Sequence, residues 1–423
     1  MDSLVIANLF LLLFLGLADN QMIAALLPSL VKSLGISLST AGLLVVVYSL
    51  AAAVAAFFSG TLSDHYGRRR FLLAGVALFA VASFAASRTR TLNELMLARA
   101  LTGLAAGTLS TCSITFAADW FAYNVRGRAI GLISSAYFAA PILGVPIAAQ
   151  IADRYGWRRA FLFFAGLAVA TAFATLRLPR ERLSASEVQS PKSEVQNPSS
   201  GSSLAASDLG PRTSDSKLRS TVHTFRSFLE RRDTLAALVI AFLVSGGLVG
   251  FLTYIGQWLN STFALPTRTI GWVFMLGGIV AVGSAPLGGI LSDRWGKRAI
   301  SIASNIVLAV AVAFVPFLPW GWGLLGVFAL ASLGAAFRQG PLTALMTEMV
   351  PAAQRGSFIA LRNISSQMGI GATAYLGGVL FQRSGYAAVT TLCAVMTAAV
   401  VVLLATHIVE PRGADVSAPG QGA

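Results

Sequence analysis

The chain has 423 residues, of which 56% are hydrophobic and 11% charged, against roughly 25% charged in an average soluble domain, and that imbalance excludes a soluble globular fold. A formal net charge of +14 would point to nucleic acid in a soluble protein; in a chain this apolar it records orientation in a membrane, and nucleic acid is excluded as a partner. Cys112 and Cys393 fall in apolar stretches of opposite halves, which excludes a disulfide framework and leaves both as packing residues.

Apolar stretches follow one another at 4–30, 40–61, 71–87, 93–118, 128–151, 159–177, 234–260, 270–291, 299–318, 321–346, 357–381 and 385–408. Many are near or above the roughly 20 residues that cross a bilayer as a helix, so twelve spans are expected. The first has no Lys or Arg before its apolar run and continues past Asp19 to Leu30, too long for a secretory signal core, and reads as a retained helix. Asp19 is followed by Asn20 and Gln21, and Tyr48 lies in the second span. The fourth encloses Arg99 and ends at Asp119; the fifth, beginning near Arg126, holds Tyr137 and the run Ala140-Pro141-Ile142-Leu143-Gly144-Val145.

Residues 178–233 break the pattern with Ser, Pro, Gly and mixed charges, the composition of a largely disordered linker. Within it Ser186-Glu187-Val188-Gln189-Ser190-Pro191 nearly repeats as Ser193-Glu194-Val195-Gln196-Asn197-Pro198, a duplication that an unconstrained linker tolerates. Val222, Phe225, Phe228 and Leu229 beside Arg226, Arg231 and Arg232 predict a short helix on the membrane surface. Beyond the linker, the seventh span holds Tyr254, Gln257 and Trp258, the tenth Arg338 directly before Gln339-Gly340-Pro341, and the eleventh Arg362, Asn363 and Gln367.

The two sides of the linker match at a single offset of 229 positions. Gly60-Thr61-Leu62-Ser63-Asp64-His65-Tyr66-Gly67-Arg68-Arg69 returns as Gly289-Ile290-Leu291-Ser292-Asp293-Arg294-Trp295-Gly296-Lys297-Arg298. The same offset carries Gly42 to Gly271, Asp119 to Glu348, Arg126-Gly127 to Arg355-Gly356, and Arg154 and Gly156 to Arg383 and Gly385. A shared register of this extent indicates two six-helix repeats in the same orientation.

The repeated loop pattern, glycine and aspartate followed by glycine and a basic pair, resembles the signature loop of the major facilitator superfamily, and the resemblance covers nearly the whole chain outside the linker. It implies an all-α membrane protein with the major facilitator fold: 12 transmembrane helices as two six-helix bundles related by pseudo-two-fold symmetry. The bundles would be 1–177 and 234–410, joined by a cytoplasmic linker at 178–233 and followed by a cytoplasmic tail at 411–423. It further implies that Asp64, Arg68 and Asp119, with Asp293, Lys297 and Glu348 in the second half, latch the cytoplasmic side of the outward-facing state. Gly60, Gly67, Arg69, Arg126, Gly289, Arg294, Gly296, Arg298 and Arg355 belong to the same gating elements. His65 stands where the family carries arginine.

Charges at a helix centre cost roughly 2.5–3.5 kcal/mol on insertion scales, which makes Asp19, Arg99 and Arg338 functional by default. Helical rise places Asp19 and Arg99 at similar depths. The segment Leu97-Ala98-Arg99-Ala100-Leu101-Thr102-Gly103 resembles the span-four motif of proton-coupled members, in which the arginine faces the central cavity. Asp19 is therefore expected to titrate as alternating access changes the balance between burial, which opposes its charge, and Arg99, which favours it; the alternative is a static ion pair. Arg338 and Arg362 either face a cavity and hold an anionic substrate or snorkel to the headgroups. Pro141 and Gly144 are similar in spacing to the Gly-Pro-rich motif of antiporter members, although Ala136, Ala140 and Val145 stand where that motif has glycine. Asn20, Gln21, Tyr48, Tyr137, Tyr254, Gln257, Trp258, Arg338, Asn363 and Gln367 are the expected cavity residues.

There is no Walker-type loop, the histidines are scattered and no metal ligands converge, so an enzyme is not expected, nor a cofactor. The expectation is a monomeric, multi-pass protein of the plasma (inner) membrane with both termini cytoplasmic. Its partners would be a small organic solute, protons and the lipid bilayer, with efflux by antiport favoured because the first half is most similar to the drug:proton antiporter branch of 12-spanners. Uptake or facilitated diffusion of a metabolite is the nearest alternative, and a non-transporting sensor or scaffold the alternative of another class.

Overall fold

In a bilayer each backbone N–H and C=O must find its partner within its own segment, which leaves the helix as the economical answer for an apolar chain. The computed structural model describes residues 2–179, 228, 230–350 and 355–408, and these are almost entirely helical. Most of the expected linker, including its surface helix, the tail from 409 onward, and the side chains of Asp64, His65, Glu348 and Arg355 lie outside the described residues.

Spans 1 to 4 are Asp2–Leu34, Leu38–Tyr66, Arg68–Arg88 and Leu92–Trp120. Their starts are written locally: Ser37 caps span 2 by accepting from the Thr40 N–H at 3.1 Å, and Thr91 and Glu94 form a reciprocal capping box on span 4. Span 5 is interrupted. It runs as Tyr123–Ser134 and Ala136–Ala139, then a five-residue π-helical turn, Ala140–Gly144, and resumes as Val145–Tyr155. Pro141 has no N–H to offer inside this helix, and a π turn is one of the few ways to continue past it. Span 6 is Trp157–Leu176, span 7 Arg232–Phe263, span 8 Thr267–Trp295, span 9 Lys297–Phe314 and span 10 Trp322–Glu348.

Among the described residues, eleven helices are long and apolar enough to cross a membrane. The last of them, Arg355–Thr406, is 52 residues long, about 78 Å at ~1.5 Å per residue and more than twice a hydrocarbon core of roughly 30 Å. Gly385, at φ 75° and ψ −175°, breaks it into spans 11 and 12, which restores the expected twelve. The expected boundary at 381–385 thus contains no loop: one non-helical glycine makes the turn.

The repeat register holds in the backbone. Gly67 and Gly296 both sit at φ 90°, and Gly156 and Gly385 at φ 84° and 75°; each is a position that a side chain would strain. Arg69 donates from Nη2 to the Leu176 carbonyl at 2.5 Å, and Arg298 from Nη2 to the Ala405 carbonyl at 2.5 Å. All of these pairs are 229 apart. The second arginine of each signature loop therefore caps the last span of its own half, where unsatisfied carbonyls and the helix dipole favour a cation.

Within each half the peripheral spans pack on the central ones, and the halves meet through span 2 with 11, span 5 with 8, and span 1 with 7 and 8. The closest approaches between halves lie on one side of the molecule, the side of Leu34 and Phe263 and hence the far side from residue 2. There a Cβ on Gly42 would overlap the Ala374 carbonyl, one on Gly256 the Ala24 carbonyl, and one on Gly271 would come within 2.7 Å of the Ala149 Cβ. Ser39 Oγ adds a hydrogen bond to Gln382 Oε1 at 3.0 Å. Gly42 and Gly271 are repeat equivalents, so the far-side closure is built twice from one pattern.

Candidate functional site

Three helices converge at the centre of the N-terminal bundle because small residues let their backbones touch. A Cβ on Gly103 would overlap the backbone of Tyr48, and one on Gly107 the backbone of Ala52, so span 4 lies directly against span 2. One turn before Gly103, Arg99 is thereby laid over the Tyr48 ring, with its Cζ 4.3 Å from the ring centroid. Tyr48 is held in turn, its hydroxyl donating to the Gly16 carbonyl of span 1 at 2.8 Å. Gly16 leaves no room for a side chain either, since a Cβ would come within 2.8 Å of the Ala106 Cβ.

This junction brings Asp19 and Arg99 together. Arg99 Nη1 donates to Asp19 Oδ2, and both side chains are 0% exposed. Neither is fully satisfied: Asp19 Oδ1 and Arg99 Nε and Nη2 are buried without a hydrogen-bond partner among the described residues. A buried pair with open donors and an open acceptor is held less firmly than one that is fully bonded, and the unbonded oxygen is where a proton can be added. The π turn of span 5 presses on the same stretch of span 1, as a Cβ on Gly144 would fall within 2.5 Å of the Ala18 Cβ. On its other face the turn meets span 8, where a Cβ on Gly278 would lie 2.6 Å from Ile142 Cγ1. Pro141 and Gly144 thus link the ion pair to the interface between halves.

The second half has no such pair. The register places Phe328 at the position of Arg99, Gly277 at that of Tyr48 and Leu248 at that of Asp19. The geometry is retained without the charge: Phe328 Cε1 lies 2.9 Å from where a Gly277 Cβ would stand.

At the near side, Arg68 Nη1 lies 2.8 Å from Asp119 Oδ2, so the expected contact between these two is formed within the first half. Arg126 Nε donates to the Phe121 carbonyl at 3.3 Å, holding the turn between spans 4 and 5. Asp293 and Arg294 are exposed and Lys297 is partly buried. Gly60 and Gly289 are not tightly packed.

The expected cavity residues divide. Tyr137 and Asn363 are exposed, and Asn20, Gln21, Gln257 and Gln367 are partly exposed; the Asn20 Oδ1 and Gln257 Oε1 atoms are buried without partners. Four others are placed differently from the expectation. Tyr48 is the platform beneath Arg99. Tyr254 is buried on the far side, its hydroxyl donating to the Ala374 carbonyl. Trp258 is stacked on Tyr386 at 5.0 Å and meets Phe263 edge-on at 5.3 Å inside the C-terminal bundle. Arg338 neither lines a cavity nor snorkels: it is 1% exposed, with Nη1 donating to Asn305 Oδ1 at 2.8 Å and Nη2 to the Val244 carbonyl at 3.1 Å. In the first half the equivalents of these three are Leu109, Val76 and Leu15, which is why no repeat signal pointed to Asn305. Between spans 2 and 11 an apolar groove of about 320 Å³ is lined by Leu43, Val46, Leu50, Met368, Gly371, Ala372 and Tyr375. Cys112 and Cys393 are free and buried.

The sequence model of the Major Facilitator Superfamily matches residues 9–289 and 237–423. Among curated relatives, the MFS-type transporter YwfA of Bacillus subtilis is 26% identical over 382 residues, covering 90% of this chain and 86% of that one. Multidrug resistance protein Stp of Mycobacterium tuberculosis is 26% identical over 398 residues, covering 87% and 74%. Among solved structures, the inward-open conformation of the xylose transporter XylE from E. coli superposes with a TM-score of 0.75 at 15% identity, covering 98% of each chain, a likeness that concerns the fold.

Proposed function

This chain belongs to the major facilitator superfamily, a multi-pass membrane transporter rather than an enzyme, and we propose that it exports a small organic solute by alternating access in exchange for protons. The observation that carries the reading is the buried Asp19–Arg99 pair, present in one half of an otherwise repeated fold. In this state the far side is sealed by the glycine contacts, and we read the near side as the one that opens. With both termini in the cytoplasm, the cavity faces the cytoplasm and Asp19 is shielded from outside.

When the bundles rock, the contacts of spans 1 and 5 with spans 7 and 8 change, and with them the surroundings of Asp19. A proton taken up at Oδ1 from outside neutralises the carboxylate, weakens its hold on Arg99 and permits return to the inward-open state, where solute binding and proton release reset the pair. The asymmetry of the pair means that only the first half carries the proton. Names such as multidrug resistance protein among the relatives support the outward direction. The signature loops serve as gating elements, with Arg68 and Asp119 ordering the near end of the first bundle, and with Asp64, Asp293, Lys297 and Glu348 they take the latch role when that side closes.

The test is flux in proteoliposomes whose inserted protein presents its cytoplasmic face outward, against a panel of neutral, cationic and anionic aromatic solutes. An acidic lumen is expected to drive solute inward, and a protonophore to abolish the accumulation. Accumulation driven only by an alkaline lumen would make the protein a symporter and refute export.

A further inference from the structure

Three arginines lie inside the spans, and the structure answers two of them. Arg99 has Asp19, and Arg338 has the Asn305 amide oxygen and the Val244 carbonyl. Arg362, on span 11, is different. Among the described residues its single hydrogen bond is a long one, Nη2 to Thr343 Oγ1 of span 10 at 3.4 Å, and its Nε is buried with no partner. Among the described residues no carboxylate is paired with it. The residue stands about 10 Å from the near-side start of its helix at ~1.5 Å per residue, below the zone where the halves touch.

From span 5 of the other half, Tyr137 interacts electrostatically with the guanidinium, and it is 50% exposed. Asn363, the next residue on span 11, is also exposed. A guanidinium whose Nε–H has no partner and whose Nη2 makes only a long hydrogen bond, with a neutral hydroxyl in the other half and an amide next in sequence, can receive a planar anion, which guanidinium binds through two parallel hydrogen bonds. Among the described residues nothing here suits a cation: the carboxylate nearest the centre of the molecule, Asp19, is occupied by Arg99 and fully buried.

We propose that Arg362 and Tyr137 form the entry site for a carboxylate-bearing solute, gripped between the two halves from the cytoplasmic side. This rests on the reading of the chain as a carrier. Because the two residues belong to different bundles, an anion held between them bridges the parts that must move and favours closure of the near side.

Binding is tested on the purified full-length chain in detergent, using benzoate, benzamide and benzylammonium at equal ionic strength and following the melting temperature. Benzoate is expected to stabilise the wild type more than the other two, and Arg362→Ala to require at least about tenfold more benzoate for the same shift, the scale of one lost charge-assisted hydrogen bond. Arg362→Lys should fall between, since it keeps the charge but not the fork. Tyr137→Phe, which removes only a hydroxyl, should also weaken the benzoate response, and it serves if Arg362→Ala does not fold. Equal stabilisation by benzamide or benzylammonium, or a benzoate response unchanged in these variants, would overturn the proposal. Benzoate protection through Arg362 without pH-driven flux of any solute would retain the anion site and remove the export reading, whereas flux of neutral solutes with no benzoate effect would do the reverse.

Discussion

Asp19→Leu is expected to lose about 3–5 kcal/mol of stability, the range for stranding one member of a buried ion pair, while Arg99→Met loses distinctly less. The difference follows from chemistry. A guanidinium does not give up its proton in a protein, so Arg99 left alone stays charged at the centre of the bundle with only the face of Tyr48 against it. A carboxyl left alone takes up a proton and becomes a neutral buried group. Asp19→Asn should be milder than Asp19→Leu, since its amide oxygen still accepts from Arg99 Nη1. The double variant Asp19→Leu with Arg99→Met should recover most of the loss, because no charge remains to be stranded. Thermal unfolding of the four proteins in one lipid–detergent mixture gives the order; Arg99→Met being the least stable would contradict the geometry.

The second large effect concerns the far-side closure. Gly256 of span 7 lies against the Ala24 carbonyl of span 1, leaving no space for a Cβ, and these spans belong to different halves. Gly256→Leu cannot be accommodated by rotating a side chain, because the obstacle is backbone. It is expected to forbid the far-side-closed state and shift the protein toward the opposite one. Reversing a 1:99 equilibrium takes about 5.5 kcal/mol, a magnitude that a backbone overlap of this kind supplies.

The reporter is Ser29→Cys, since Ser29 is part of the closed side through its contact with Thr267 at 3.4 Å; the native Cys112 and Cys393 are buried and give little background. A membrane-impermeant maleimide should label this position slowly in the otherwise native protein and quickly with Gly256→Leu. Gly166→Leu is the control, because nothing lies within 4 Å of a Cβ there. Slow labelling in the Gly256 variant would mean that this contact does not hold the two halves.

Much of the architecture was legible in the sequence because bilayer thickness fixes span length and because the 229-residue register is repeated in glycines whose backbone conformation admits little else. Gly67, Gly156, Gly296 and Gly385 mark the same turns in both halves. The proximity of Asp19 and Arg99 was also legible, since helical rise alone sets their depth. What a side chain faces was not. Period and depth locate Tyr48, Trp258 and Arg338 along a helix but do not say whether each turns toward a cavity or into its own bundle, and the structure turns all three inward. The partner of Arg338, Asn305, is one span away at a position with no counterpart in the first half, so neither repeat nor motif announced it. The role of Arg69 and Arg298 as caps on spans 6 and 12 was likewise hidden, because it joins residues about a hundred positions apart through backbone carbonyls. The close contacts between halves depend on glycines that look like ordinary packing glycines in sequence.

We propose that a proton on Asp19 couples a symmetric rocking fold to a gradient. The most direct test compares wild type with Asp19→Asn in the same proteoliposomes, measuring accumulation of a transported solute under an imposed pH gradient and, separately, exchange of labelled for unlabelled solute without a gradient. Asp19→Asn is expected to lose pH-driven accumulation while exchange persists, since the cavity and the gates are intact and only the titrating group is gone. Accumulation at the wild-type level with asparagine in place would contradict it.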